Sequence, residues 1–367
     1  MTKSKILFIG FKRQKGPIPT GGNLANMRSL NIIKKFFGTE NVGEYYLLDE
    51  AQKRPIWSYL LAVLLFPFNY HNGLTPHKIK DIISISKGYN YIFLSTSVIA
   101  IVAKKLRQSG YHGTIVTHYH NIESIYYDAI IPRWLPGRQI IVRCAANNDK
   151  YGCEYSNKVI TLSERDSNFL EKHYGRKADA IISISLEDNF SPIDESQQTS
   201  KRPQCLFIGT YNKPNNDGVL FFVKKVLPFV DISFKVVGKG MGRLKNENDC
   251  MKDIEVINDA PDLRPFFNEA DFMILPVFSG SGMKVKTCES LMYGKNIIGS
   301  SETFEGYHVD TNKVGGLCNT ADEYIHCLQH YINHPIPRFN KYSREIFLSN
   351  NTEKATEVNF FSVFNTL

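Results

Sequence analysis

The 367-residue chain is short of paired cysteines: its seven, at 144, 153, 205, 250, 288, 318 and 327, are odd in number and include no CxxC. That excludes a disulfide framework and a cysteine-held zinc, and makes the cytoplasm, up to the inner face of the cytoplasmic membrane, the expected location. No leader peptide is expected, because Met1–Lys5 runs directly into the strand-like Ile6–Ile9. No apolar run reaches the ~20 residues of a spanning helix. The longest, Ile56–Phe68, is broken by Ser58 and Pro67. Asp-x-Asp is missing, so a metal-held diphosphate is unsupported and no metal is expected. GxGxxG and GxxxxGK[ST] are missing too, which excludes the Rossmann dehydrogenase and P-loop readings. There is no short repeat, low-complexity tract or nucleic-acid motif, so no nucleic acid is expected as a partner.

What is present is a globular composition whose charge is unevenly spread. Residues 1–150 hold 20 Lys/Arg against 8 Asp/Glu, a balance of +12, whereas residues 151–367 hold 24 against 28, a balance of −4. The basicity belongs to the N-terminal half and points to an anionic partner there. Length alone suggests two domains. Strand-like runs at Lys5–Ile9, Tyr91–Ser95, Gly113–Thr117, Lys158–Thr161 and Ala180–Ile184 alternate with helical patterns at Leu24–Phe37, Ser97–Arg107 and Glu164–Tyr174. The chain turns polar from Ser191 to Gln204. It then alternates again, with strands at Cys205–Gly209, Ser233–Val237, Ile254–Ile257, Phe272–Leu275 and Asn296–Ile298 and helices at Gly218–Leu227, Leu263–Glu269 and Lys284–Tyr293. The expected α/β fold is two doubly wound parallel-sheet domains facing a central cleft. Their expected bounds are 1–190 and 205–345, with a linker at 191–204 and a C-terminal segment 346–367 packing back on the first domain.

The most informative stretch is Asp271–Gly306. A strand ends at Pro276, a loop of small residues follows at Ser279–Gly282, and a helix begins near Met283. Free N–H groups at a helix start make an anion site, and the glycines let a ligand approach the backbone. Lys284 and Lys286 add positive charge, and Glu289 lies farther along the same helix at a distance suited to accepting from sugar hydroxyls. Such an arrangement describes a nucleotide-diphosphate pocket; a plain strand–turn–helix connection with solvated lysines is the alternative.

Gly280-Ser-Gly-Met-Lys-Val-Lys-Thr-Cys-Glu289 resembles the donor-binding signature Gly-Ser-Gly-Thr-Arg-x-Lys-x-x-Glu of family 4-like GT-B glycosyltransferases, the glycosyl transferases group 1. Gly209-Thr-Tyr-Asn-Lys-Pro-Asn-Asn-Asp217 and Asp259–Phe267 resemble its flanking segments. The resemblance implies a two-domain Rossmann-like fold, a UDP- or GDP-sugar donor with no tightly bound cofactor, and retaining transfer to a glycan or lipid-diphosphate-linked acceptor in surface polysaccharide or glycoconjugate synthesis. Gly209, Lys213, Gly282, Met283, Lys284 and Glu289 are then the donor-binding residues, with Glu289 on the ribose, and Lys286 supports the leaving diphosphate. The related Glu-x7-Glu pattern has its first glutamate where this chain has Ser281.

In the N-terminal half, Pro19-Thr-Gly21-Gly22-Asn23 resembles the Gly-Gly loop that faces donor phosphate and acceptor. Thr117-His-Tyr-His120-Asn-Ile-Glu123 follows a strand where a histidine of the family contacts the donor sugar, which selects His120. Glu123 is the carboxylate to test as a base, although a leaving phosphate oxygen can itself take the acceptor proton. Pro55–Phe68, with Lys53 and Arg54 before it and Trp57, Tyr59 and Phe66 within it, reads equally as a buried helix and as an interfacial anchor; the basic half is where a diphosphate-linked lipid at an anionic membrane is expected to dock. Two other functions remain open: a nucleotide-sugar epimerase, and a non-catalytic subunit that binds nucleotide sugar or glycan.

Overall fold

A computed structural model describes residues 4–13, 21–49, 56–71, 73–191, 199 and 202–365. The chain forms two units, Met1–Ser183 with Thr356–Leu367, and Ile184–Ala355. The division precedes the polar stretch 191–204, of which residues 192–198, 200 and 201 lie outside the described residues. No described helix is long and apolar enough to cross a membrane.

The first unit runs β1 (Ile6–Arg13), α1 (Gly21–Phe37), β2 (Val42–Asp49), α2 (Ile56–Leu65), α3 (Pro76–Ser86), β3 (Tyr91–Leu94), α4 (Ile101–Gln108), β4 (Thr114–Tyr119), α5 (Glu123–Ile130), α6 (Arg138–Tyr155), β5 (Lys158–Thr161), α7 (Glu164–Tyr174) and β6 (Ala180–Ile181). All strands pair in parallel, in the order β2-β1-β3-β4-β5-β6. Alternation along β1 splits the core in two. Leu7 and Ile9 join Ile82, Ile92 and Val102 on one face, while Ile6 and Phe8 join Ile33, Phe93 and Val116 on the other. Both faces are covered by helices, so the strands read as unbroken apolar runs.

The second unit runs β7 (Gln204–Ile208), α8 (Lys213–Lys225), β8 (Ser233–Gly238), α9 (Gly242–Glu247), β9 (Glu255–Asn258), α10 (Arg264–Glu269), β10 (Phe272–Leu275), α11 (Val285–Met292), β11 (Asn296–Gly299), α12 (Thr311–Val314), β12 (Gly315–Leu317), α13 (Ala321–Asn333) and α14 (Lys341–Asn350). Its parallel sheet has the order β12-β11-β10-β7-β8-β9. The final helix, α15 (Glu353–Asn365), begins in this unit and ends in the first, where Phe360, Val363 and Phe364 are buried in the core.

Strand order reverses between β1 and β3 in one unit and between β7 and β10 in the other. Connections diverge at the C-terminal ends of those strands and leave room for a ligand. The elements depart from the sequence expectation where side chains intervene. The helix expected at Ser97 starts instead at Ile101, behind a 3-10 turn whose cap is Thr96, accepting from the Val98 N–H at 3.4 Å. The strand expected at Gly113–Thr117 extends to Tyr119, so His118 lies within it. Gly21 and Gly22 form the first turn of α1 rather than a loop; Pro19 and Thr20 lie outside the described residues.

Candidate functional site

In the second unit the β7/β10 switch point joins three connections. After β7 comes Gly209; a Cβ on Gly238, at φ +145°, would lie 2.0 Å from the Gly209 carbonyl oxygen, so the ends of β7 and β8 meet through glycine backbone. Asn212 caps α8 by accepting from the Asn215 N–H at 3.0 Å. Asn215 is buried; its amide donates to the Thr210 carbonyl at 2.7 Å, and its Oδ1 accepts from Lys286 Nζ. The same ammonium lies 4.5 Å from the centre of the Phe207 ring, a cation–π contact. Lys286, on α11, is therefore aimed at the end of β7.

Burial pushes the Lys286 ammonium down to about 7; Lys284 acts in the same direction and Glu289 opposes it. Glu289 stands one turn farther on, pushed up to about 7 by burial against the pull of Lys286. Both side chains are densely surrounded yet keep a solvent-facing edge. Among the described residues, none donates a hydrogen bond to the Glu289 carboxylate. A desolvated acceptor in that condition suits hydroxyl donors.

The β10–α11 connection bends through Gly280 (φ +137°) and Gly282 (φ +66°), conformations open to glycine. Met283 and Ser281 are buried behind it. Lys284 caps α11, but its charge is already engaged: Nζ donates to Glu302 Oε1 at 2.6 Å and to the Gly282 carbonyl at 2.7 Å. Two lysines were expected beside an anion; the folded chain pairs one of them with Glu302, which the sequence did not single out. Lys213 opens α8 as an exposed residue paired with Asp217 one turn on.

The first unit gathers a second group of residues. His118 and His120 are both buried with rings 4.4 Å apart, and His120 Nε2 lies 3.2 Å from His118 Nδ1. Burial and the Arg28 charge push His120 down to about 3; burial, His120 and Arg28 push His118 well below its ordinary value. Both imidazoles are neutral hydrogen-bonding groups. Glu123 opens α5 and accepts from Thr96 Oγ1 at 3.0 Å. Asp149, from α6, accepts from Ser97 Oγ at 2.9 Å and from the Ser124 and Glu123 N–H groups at 3.0 and 3.3 Å. Burial raises both carboxyls, Glu123 to about 8 with help from Asp149, and Asp149 to about 6 against its hydrogen bonds. Neither Thr96 nor Asp149 carried a sequence signal, because nothing local marks a buried polar partner from another element. Among the described residues, no cluster of three or more His, Cys, Asp or Glu could hold a metal ion.

Residues 202–333, which contain β7 to α13 and the whole of the second-unit site, match the family described as glycosyl transferases group 1. Those residues are similar to that family. Across nearly the full length the chain has the GT-B fold. HepE from Anabaena, solved with UDP, superposes with a TM-score of 0.68 at 14% identity, covering 99% of this chain and 100% of that one. A glycosyltransferase from Rickettsia africae superposes with 0.63 at 12% identity, covering 99% and 98%. A trehalose 6-phosphate synthase from Burkholderia multivorans does so with 0.61 at 13% identity, covering 99% and 96%. No curated protein matches the chain by sequence. In the matched segment the Gly-Ser-Gly loop, Lys286 and Glu289 thus occupy the switch point of the sheet, where open α/β folds take ligands.

Proposed function

We propose that the protein is a glycosyltransferase that moves a sugar from a nucleotide-diphosphate sugar to an acceptor hydroxyl. The observation that carries this reading is Glu289, an acceptor with no protein donor among the described residues, one helical turn from Lys286 and beside the Gly280–Gly282 bend. Ribose hydroxyls donate to Glu289, and the diphosphate meets Lys286 and the first N–H groups of α11. The Lys284–Glu302 pair leaves Lys286 as the nearer free charge for that anion, and UDP in HepE favours a UDP-sugar over a GDP-sugar.

In the proposed reaction the donor C1–O bond breaks through an oxocarbenium-like state, and the nucleoside diphosphate leaves with the bonding pair. The acceptor oxygen bonds to C1 on the same face, and its proton passes to a diphosphate oxygen. Lys286 stabilises the charge that develops on the leaving group. Glu123, raised to about 8, holds a proton at neutral pH rather than taking one, in keeping with a reaction that uses the phosphate oxygen instead. His120, as a neutral imidazole, is suited to hydrogen-bonding a sugar hydroxyl. The acceptor is assigned to a glycan or lipid-diphosphate-linked sugar of surface polysaccharide synthesis, and no metal is required.

A thermal-shift screen of the purified chain against UDP-, GDP-, ADP- and dTDP-sugars tests the donor, since a ligand of the folded state stabilises it by mass action. Product analysis with glycan and lipid-linked acceptors then separates transfer from epimerisation and from binding alone. Absence of a shift with every nucleotide sugar, or an equal shift in Glu289→Ala, overturns the reading.

A further inference from the structure

Two buried carboxyls meet just beyond the end of β4, and their partners are unequal. Asp149, reaching across from α6, takes three donors: the Ser97 hydroxyl at 2.9 Å and the Ser124 and Glu123 N–H groups at 3.0 and 3.3 Å. Glu123, in the first turn of α5, takes the Thr96 hydroxyl at 3.0 Å on Oε1. Two carboxyls in so small a buried space do not both ionise readily, and hydrogen bonds decide which one does. Three donors hold the negative charge on Asp149 and leave the proton on Glu123. Thr96 also fixes which oxygen carries that proton. Its Oγ1 accepts from the Val98 N–H at 3.4 Å, so its own hydrogen goes to Glu123 Oε1, which is thereby an acceptor. The proton therefore sits on Oε2. No described residue bonds Oε2, and it is not among the polar atoms sealed without a partner inside the fold, so it meets solvent through the 6% of Glu123 that is exposed. An acid O–H that finds no acceptor in the protein is ready for one on a ligand.

Glu123 stands three residues after His120, at the C-terminal edge of the sheet whose strand order reverses at β1 and β3. Open α/β sheets take ligands at that edge. We propose that Glu123, as an un-ionised acid, donates a hydrogen bond from Oε2 to an oxygen of the sugar bound there, with Asp149 and Thr96 as the residues that position it. The proposal rests on the glycosyltransferase reading and adds to it a donor that serves while it keeps its proton. The charge acting on Glu123 is that of Asp149: with burial it raises the Glu123 carboxyl to about 8, while Asp149 itself stands at about 6. Tyr119 on β4, Tyr126 and Tyr127 on α5, Cys153 on α6 and Tyr174 on α7 surround the pair, all raised by burial and neutral in this range. His120 is neutral too. A change in sugar binding near pH 8 therefore belongs to Glu123, intact below its transition and lost above it.

Two measurements on the full chain test this. An un-ionised carboxyl gives an infrared C=O band apart from those of carboxylates. The band is expected in the parent near pH 7, absent from Glu123→Gln at the same pH, and lost from the parent as pH rises past about 8. The second measurement is kcat/KM for release of nucleoside diphosphate from about pH 6 to about pH 9, with the strongest stabiliser among UDP-, GDP-, ADP- and dTDP-glucose as donor. The parent should fall about tenfold per pH unit above the Glu123 transition. Glu123→Ala should lose roughly tenfold at neutral pH. Glu123→Gln, whose amide still donates from the same place, should recover most of that loss and show no alkaline fall. Asp149→Asn should keep the fall but move it to lower pH, which a merely structural residue would not do. Absence of the infrared band, rates that rise with pH, a Glu123→Gln variant as poor as Glu123→Ala, or an Asp149→Asn profile that stays in place would each overturn the proposal. In those cases stabilisation by a nucleotide sugar leaves the glycosyltransferase reading standing. Stabilisation by none of the four removes both.

Discussion

Glu289 and Lys286 divide the proposed work of the second-unit site between binding and turnover. Removing an ionised acceptor from two hydroxyl donors costs about 1.5–3 kcal/mol, so Glu289→Ala should weaken nucleotide-sugar affinity roughly 10- to 100-fold by calorimetry. Lys286→Met should act mainly on turnover, by about 100-fold, because charge on the leaving diphosphate is greatest in the transition state; unchanged turnover would remove Lys286 from that role. Glu123 makes a prediction about pH. Its carboxyl titrates near 4.5 when unfolded and near 8 when folded, so between those values the folded chain holds a proton that the unfolded chain has released. Stability from this group is intact below 4.5 and is lost as pH rises toward 8. Glu123→Gln, which stays neutral, should therefore gain on the parent across this interval, by on the order of a few kcal/mol near pH 8. Parallel denaturant titrations at pH 5 and pH 8 check the sign.

Among the elements, α8 owes its seat to a glycine inside a helix. A Cβ on Gly218 would lie 1.9 Å from the Pro276 carbonyl at the end of β10. Gly→Ala in a helix ordinarily stabilises by about 1 kcal/mol, yet Gly218→Ala should destabilise by roughly 2 kcal/mol or more and loosen the loop pair that holds Asn215 and Lys286. An unchanged melting temperature would refute that account. The elements were unequally legible. β1, β3, β7 and β10 announce themselves as continuous apolar runs because both sheet faces are covered. β2 escaped notice because Glu44, Tyr45 and Tyr46 interrupt its pattern at the sheet edge. Within α6 the buried Asn148 and Asp149 break the apolar stripe by which a helix is read, since they serve other elements: Asn148 accepts from the Ile101 N–H at the start of α4.

For the molecule as a whole, the chain's return to its first unit through α15 carries weight. Phe360 lies 5.8 Å from Phe93 and 6.0 Å from His118, within the core built on Ile6 and Phe8. Phe360→Ala should cost about 3–5 kcal/mol, and hydrogen exchange should register the loss in β1 and β3 rather than in β7 and β10. Exchange that quickens equally in both sheets would show that the two units do not unfold separately.

By itself the sequence determined two doubly wound sheets and the glycine loop, lysine and carboxylate of α11, because strand period, turn chemistry and helix spacing are local properties of neighbouring residues. Only the tertiary structure decided which charge is available. Lys284 is paired with Glu302, 18 residues on, while Lys286 reaches back 71 residues to Asn215. Likewise Glu123 is buried beside Asp149, 26 residues away, and that burial and neighbouring charge raise its carboxyl to about 8. Charge, burial and protonation depend on what the fold brings close, and no local pattern encodes it.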